Sequence, residues 1–190
     1  MTLLILGLVL FLGTHSVSII SWRGRDALVA RMGEIPFKAA YGLLAIAGLV
    51  LIVIGYGQAR MDPTWLWQPP AFMRHIAMLL MLFAFPALLA AYFPGRIQRT
   101  LKHPMLVAVK AWALAHLLVN GTLADLLLFG GFLAWAVVDR ISFKRRPQRA
   151  TPQLPDSRAN DAIVIVGGLA LYAAFAFWLH PILFGVPVMS

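Results

Sequence analysis

About six apolar blocks, each long enough to approach or cross a bilayer, punctuate this chain and decide what it can fold into. They run Leu3–Ile20, Ala39–Gln58, Phe72–Phe93, Met105–Val119, Leu123–Val138 and Ala162–Leu179. A hydrocarbon core about 30 Å thick takes about 20 apolar residues per helix, and lipid gives the backbone no hydrogen-bond partner outside a helix or closed barrel. The composition agrees. The chain is 61% hydrophobic and 12% charged, with a mean hydropathy of +0.83, far more apolar than a soluble domain. The expected fold class is all-α, a polytopic membrane helix bundle of about six transmembrane helices in a single domain over residues 1–190. The fourth and fifth blocks are short and share only the turn Asn120-Gly121-Thr122, which predicts a helical hairpin that need not reach the far surface. No internal repeat is visible. The first block has no basic flank and no clear small-residue cleavage site, so it reads as a retained helix and not a signal peptide.

The net charge of +9 does not point to nucleic acid, because the basic residues sit in short segments between apolar blocks. Four (Arg23, Arg25, Arg31, Lys38) lie in the first loop and three (Arg96, Arg99, Lys102) in the third. Six more (Arg140, Lys144, Arg145, Arg146, Arg149, Arg158) belong to the fifth, against only Arg60 and Arg74 beside the second. The positive-inside rule puts the odd loops in the cytoplasm and both termini outside. On that reading the polar stretch Ser142–Asn160 is a cytoplasmic loop. Trp22, Trp65 and Trp67 fall at expected helix ends, where indoles favour the interface. The absence of cysteine excludes disulfides, thiolate metal sites and a cysteine nucleophile.

Ionisable groups inside an apolar block are costly and need a reason. Thr122 and Asp125 are three apart at a helix start and read as a capping box, a structural role. His103-Pro104 opens the fourth helix, His180-Pro181 closes the last, and His75 lies close to the outer surface; none of these positions demands a ligand. His15 and His116 differ. His15 lies twelve residues past Leu3 and His116 twelve past Pro104, each roughly 18 Å from opposite faces, which puts the two within about 6 Å of one depth. Two neutral imidazoles at one depth on different helices can hold a haem between them. Small residues nearby (Gly13; Ala108, Ala113, Ala115) would leave room for a flat macrocycle. The alternative is that each imidazole hydrogen-bonds between helices, with Ser16 or Asn120 as local partners.

Three stretches carry a resemblance: GTHS at Gly13–Ser16 with Arg23 beyond it, LKHPMLVAVKAWALAHLLVNG at Leu101–Gly121, and FWLHPILFG at Phe177–Gly185. Together they resemble the NnrU family over nearly the whole chain. In order and spacing they are also similar to the ζ-carotene isomerases, membrane enzymes that bind haem b. The residues Ala90–Arg96, ending in FPGR, favour NnrU. In the isomerases the haem ligands are assigned to the His of an HS motif and the His of an LAH motif, which match His15 and His116 here. The resemblance therefore implies haem b, with His15 and His116 as ligands to its iron. It also implies a contribution to nitrite and nitric-oxide reduction alongside other membrane components. Where the isomerases carry a cysteine, three residues before the second histidine, this chain has Ala113. That weakens transfer of the isomerase chemistry more than transfer of haem binding.

Two other readings compete. One is a haem-dependent isomerase of a polyene; the other is a haem-free structural or transport protein. The chain has no paired broken segments of the kind secondary transporters use. The His103-Pro104 entry helix and the hairpin also resemble isoprenylcysteine-type membrane methyltransferases, which follow the hairpin with acidic and aromatic residues that help bind the methyl donor. Here the matching region reads DRISFKRRPQRA with a single acid, Asp139, which argues against that reading.

Overall fold

The computed structural model describes residues 1–149 and 151–188; Ala150 of the expected polar loop and the C-terminal Met189 and Ser190 lie outside the described residues. Among the described residues the chain is helical with no strand. It runs α1 (Thr2–Ile20), α2 (Trp22–Met32), α3 (Glu34–Ala59), α4 (Met73–Ala90), α5 (Arg96–Leu101), α6 (Pro104–Val119), α7 (Leu123–Asp125), α8 (Gly131–Ser142), α9 (Asn160–Ala174) and α10 (His180–Phe184). Two π-helical turns, Leu126–Gly130 and Phe175–Leu179, join α7 to α8 and α9 to α10.

Among the described residues four helices are long and apolar enough to cross a bilayer: α1, α3, α4 and the continuous run Asn160–Phe184. The fourth and fifth of the six expected spans, in the middle of the chain, are different objects. Helix α6 has 16 residues, about 24 Å at 1.5 Å per residue, short of a 30 Å core. The fifth block becomes α7, a π-helical turn and α8. The basic first loop is not a loop either. It folds as α2, with no buried residue, and Ser21 starts it by accepting the Gly24 N–H on its hydroxyl at 3.0 Å.

The helices gather into two compact units, Met1–Pro70 with Val119–Gln148, and Ala71–Leu118 with Arg149 onward. In the first, α1 packs along α3 at backbone contact. A Cβ on Gly7 would stand 2.6 Å from the Ile52 nitrogen, one on Gly48 would stand 2.7 Å from the Phe11 nitrogen, and one on Gly55 would collide with Leu3 and Leu4. Lipid offers no hydrophobic drive between helices, so close packing of small residues has to hold them. The Asn-Gly turn is anchored in the same unit. Leu66 and Trp67 donate their N–H groups to the Gly121 carbonyl, and Leu123 donates to Thr64. A side chain at Gly121 would strike the Trp67 carbonyl.

In the second unit α4 packs on α9. Gly168 sits against Pro86, where a Cβ would meet the proline ring at 2.7 Å. The FPGR segment is fixed by the start of α9. Asn160 donates from its amide to the Pro94 carbonyl at 2.8 Å, and the Asp161 carboxylate accepts the N–H groups of Arg96 and Ile97, each at 3.0 Å. Asp161 therefore does for α5 what an N-cap residue does, satisfying orphan donors at a helix start from a distant point in the chain. At the other end of α5, Lys102 adopts φ 59° and His103 donates its N–H to Leu101. This tight three-residue turn is strained for a side-chain-bearing residue, and α6 begins directly after it.

Candidate haem-binding histidines

His15 projects from α1 in the first unit. Its Nδ1–H donates to the Phe11 carbonyl at 2.7 Å. A carbonyl can only accept, so Nδ1 carries the proton and Nε2 holds the lone pair in the neutral ring. That tautomer is the one a metal takes, and the hydrogen bond fixes the ring direction as well. Aromatic rings surround it: Phe11 stacks at 4.2 Å, while Tyr41 and Trp135 present edges at 5.4 and 6.0 Å. The Trp135 indole nitrogen is buried and has no hydrogen-bond partner among the described residues. The neighbouring hydroxyls also bond down their own helix, Thr14 to Leu10 and Ser16 to Leu12, both at 2.6 Å. Ser16 is thus not the local partner of His15.

His116 projects from α6 in the second unit, and its Nδ1–H donates to the Trp112 carbonyl at 2.8 Å. Both expected ligands therefore carry the same device, an imidazole tied at Nδ1 to the carbonyl four residues earlier. The donor chemistry fits a haem iron, which takes neutral imidazole nitrogen. Space is distributed differently from the expectation. Ala108, Ala113 and Ala115 are 5%, 0% and 1% exposed, so these small residues serve close packing and leave no opening. Room does exist at Gly13, where an added Cβ would meet nothing within 4 Å. It opens on a shallow apolar groove lined by Leu6, Val9, Leu10, Thr14 and Leu51. His15 and His116 belong to different compact units, and each environment stands by itself.

The other histidines separate clearly. His75 is exposed, with only a long 3.3 Å contact from Nδ1 to the Phe72 carbonyl. His180, taken from the sequence as a residue that closes the last helix, lies beside His116, with ring centroids 6.4 Å apart. The signal was present in FWLHPILFG, but only the fold brings that segment to α6. Among the described residues no three His, Asp or Glu side chains cluster as a metal-binding group. Asp125 is structural, as the sequence predicts: it forms a capping box with Thr122. Asp139, the single acid of the DRISFKRRPQRA region, is held by Arg146 in an ion pair at 2.5 Å.

No curated protein and no solved structure matches the chain. The profile of one family, described as NnrU protein, matches residues 3–188. With nearly its whole length covered, from the first residues of α1 to beyond α10, the chain belongs to the NnrU family.

Proposed function

We propose that this NnrU-family chain is a haem b protein of the bacterial inner membrane that supports nitrite and nitric-oxide reduction, with His15 and His116 as ligands to the iron. The observation that carries the proposal is the shared tautomer. In each ring Nδ1–H is spent on a main-chain carbonyl, at 2.7 and 2.8 Å, which leaves Nε2 as the basic nitrogen. In metalloproteins a main-chain carbonyl commonly accepts the other ring N–H of a metal-bound histidine and so fixes its direction. When bound, haem iron supplies one-electron chemistry and an affinity for nitric oxide. The chain's part is to hold the iron in an apolar setting and to fix the rings that ligate it. The role in nitrogen-oxide reduction follows from the family resemblance, whereas the expectation of about six membrane passes with both termini outside follows from the apolar blocks and the placement of the basic residues.

The test is an absorption spectrum of protein purified from cells supplied with haem. A Soret band is expected in the wild type. His116→Ala and His15→Ala should each lower haem occupancy or alter the band, and His75→Ala should do neither. A wild-type protein with no Soret band defeats the proposal. For the physiological half, a deletion strain should turn over nitrite or nitric oxide more slowly, and His116→Ala should fail to restore it. Normal turnover in that strain, with clean isomerisation of a polycis carotene by purified protein, would move the function to the isomerase reading.

A further inference from the structure

His180 stands out among residues the haem reading leaves unused. It sits at the first position of α10, directly after the π-helical turn Phe175–Leu179, a distortion that often marks functional positions. Gly185 ends α10 in the left-handed region at φ 69° and turns the chain back. The Val186 carbonyl then accepts the His180 Nδ1–H at 2.7 Å. His180 therefore carries the same tautomer lock as His15 and His116, made by a different local device.

The separation of the two rings is informative. His116 and His180 have centroids 6.4 Å apart and planes inclined by 29°. With metal–nitrogen bonds of about 2.0 Å and about 1.1 Å from nitrogen to ring centre, imidazoles trans on one metal have centroids about 6 Å apart, against about 4.5 Å for a cis pair. The observed distance is that of a trans pair. Trans imidazoles can turn freely about the shared axis, so the inclination costs nothing. Trp112 lies against His116 at 5.3 Å and Phe184 against His180 at 5.0 Å, giving the pair an aromatic flank on each side. All four residues belong to one compact unit.

We propose that His180 is a third metal-binding histidine, an alternative axial ligand that takes the coordination position opposite His116. The inference rests on the haem reading for its iron and adds a nitrogen that the family resemblance does not assign. Three histidines for two axial positions make one of them exchangeable. Loss of His15 then leaves the iron six-coordinate through His116 and His180.

The experiment compares haem-loaded wild type, His15→Ala, and the double variant His15→Ala/His180→Ala in detergent. The haem retained by His15→Ala should remain low-spin. The double variant should turn high-spin and bind carbon monoxide at least tenfold faster, and added imidazole should restore the low-spin spectrum. A His15→Ala protein that is already high-spin overturns the inference and leaves the haem reading intact; so does a double variant that stays low-spin. If His180→Ala does not fold, His180→Gln replaces it. A wild type without a Soret band defeats the haem reading instead, and the pair is then judged with copper(II) alone. One bound copper showing two nitrogen couplings, reduced to one by the His180 substitution, upholds the pair. Unchanged couplings overturn it.

Discussion

The Tyr56 hydroxyl donates a hydrogen bond to the Asp125 carboxylate at 2.5 Å, tying the end of α3 to the start of α7. Asp125 is 4% exposed and also accepts from the Thr122 N–H at 2.9 Å and the Thr122 hydroxyl at 2.6 Å. A buried carboxylate is tolerable here because three donors surround it. Removing it strands those donors, each costing about 1–3 kcal/mol when left unmade. Asp125→Ala should therefore destabilise the protein by about 3 kcal/mol or more in denaturant titration in micelles. Tyr56→Phe, which takes the hydrogen bond from one carboxylate oxygen and leaves both Thr122 bonds in place, should cost less, about 1–2 kcal/mol. Equal losses for the two variants would show that the carboxylate is not the hub of this network.

Gly55 and Gly57 lie two residues apart on α3 and should respond in opposite ways. A Cβ at position 55 meets the Leu3–Leu4 backbone, whereas one at 57 meets nothing within 4 Å. Gly55→Ala must push α1 away from α3, at a cost of about 1–3 kcal/mol for overpacking. Gly57→Ala adds no contact and removes glycine's helix penalty, a gain of up to about 1 kcal/mol. Thermal unfolding of the two variants checks this. A Gly55→Ala protein as stable as Gly57→Ala would mean that α1 and α3 do not pack at these glycines.

The membrane helices and the capping box were legible in the sequence because each is local: apolar run length sets the first, and a Thr-x-x-Asp spacing sets the second. Helix α2 was not. Its residues Trp22–Met32 have a weak apolar pattern and several arginines, so it read as loop; what makes it a helix is the Ser21 cap and its position between two spans. The six-block count does not distinguish the four helices long enough to cross a bilayer from the shorter ones, since hydropathy does not register the π-helical break at Leu126–Gly130. FPGR was legible only as a family mark. Its physical reason lies in Asn160 and Asp161, more than sixty residues away. His180 was hidden for the same cause: its partner His116 is distant in the chain, and a His-Pro pair at a helix end has an ordinary explanation.

Trp135 offers a test of the His15 environment. Its indole N–H is buried without a partner among the described residues, while its ring lies edge-on to His15. An unmade buried donor costs about 1–3 kcal/mol. Trp135→Phe keeps most of the ring and removes the donor, so the haem-free protein should gain about 1 kcal/mol in thermal unfolding, despite a small loss of packing. A clear loss of stability would show that the indole nitrogen is satisfied in the protein's membrane environment.

Orientation rests on the thirteen basic residues of the odd loops against Arg60 and Arg74 beside the second. Arg23, Arg25 and Arg31 now lie on α2, a helix with no buried residue, where Arg23 covers Trp22 and Arg25 covers Phe37 at 5.0 and 4.9 Å. Cations held over aromatic rings at helix ends suit a membrane–water interface, and basic residues concentrate on the cytoplasmic side. The chain has no cysteine, so single cysteines report position without background. Asp62→Cys and Ser157→Cys are both at exposed positions, one in each class of loop. In intact cells an impermeant thiol reagent should label position 62 and leave position 157 unlabelled until the membrane is opened. Labelling at 157 but not at 62 would invert the topology, and the similar depth assigned to His15 and His116 would have to be argued again from the opposite faces.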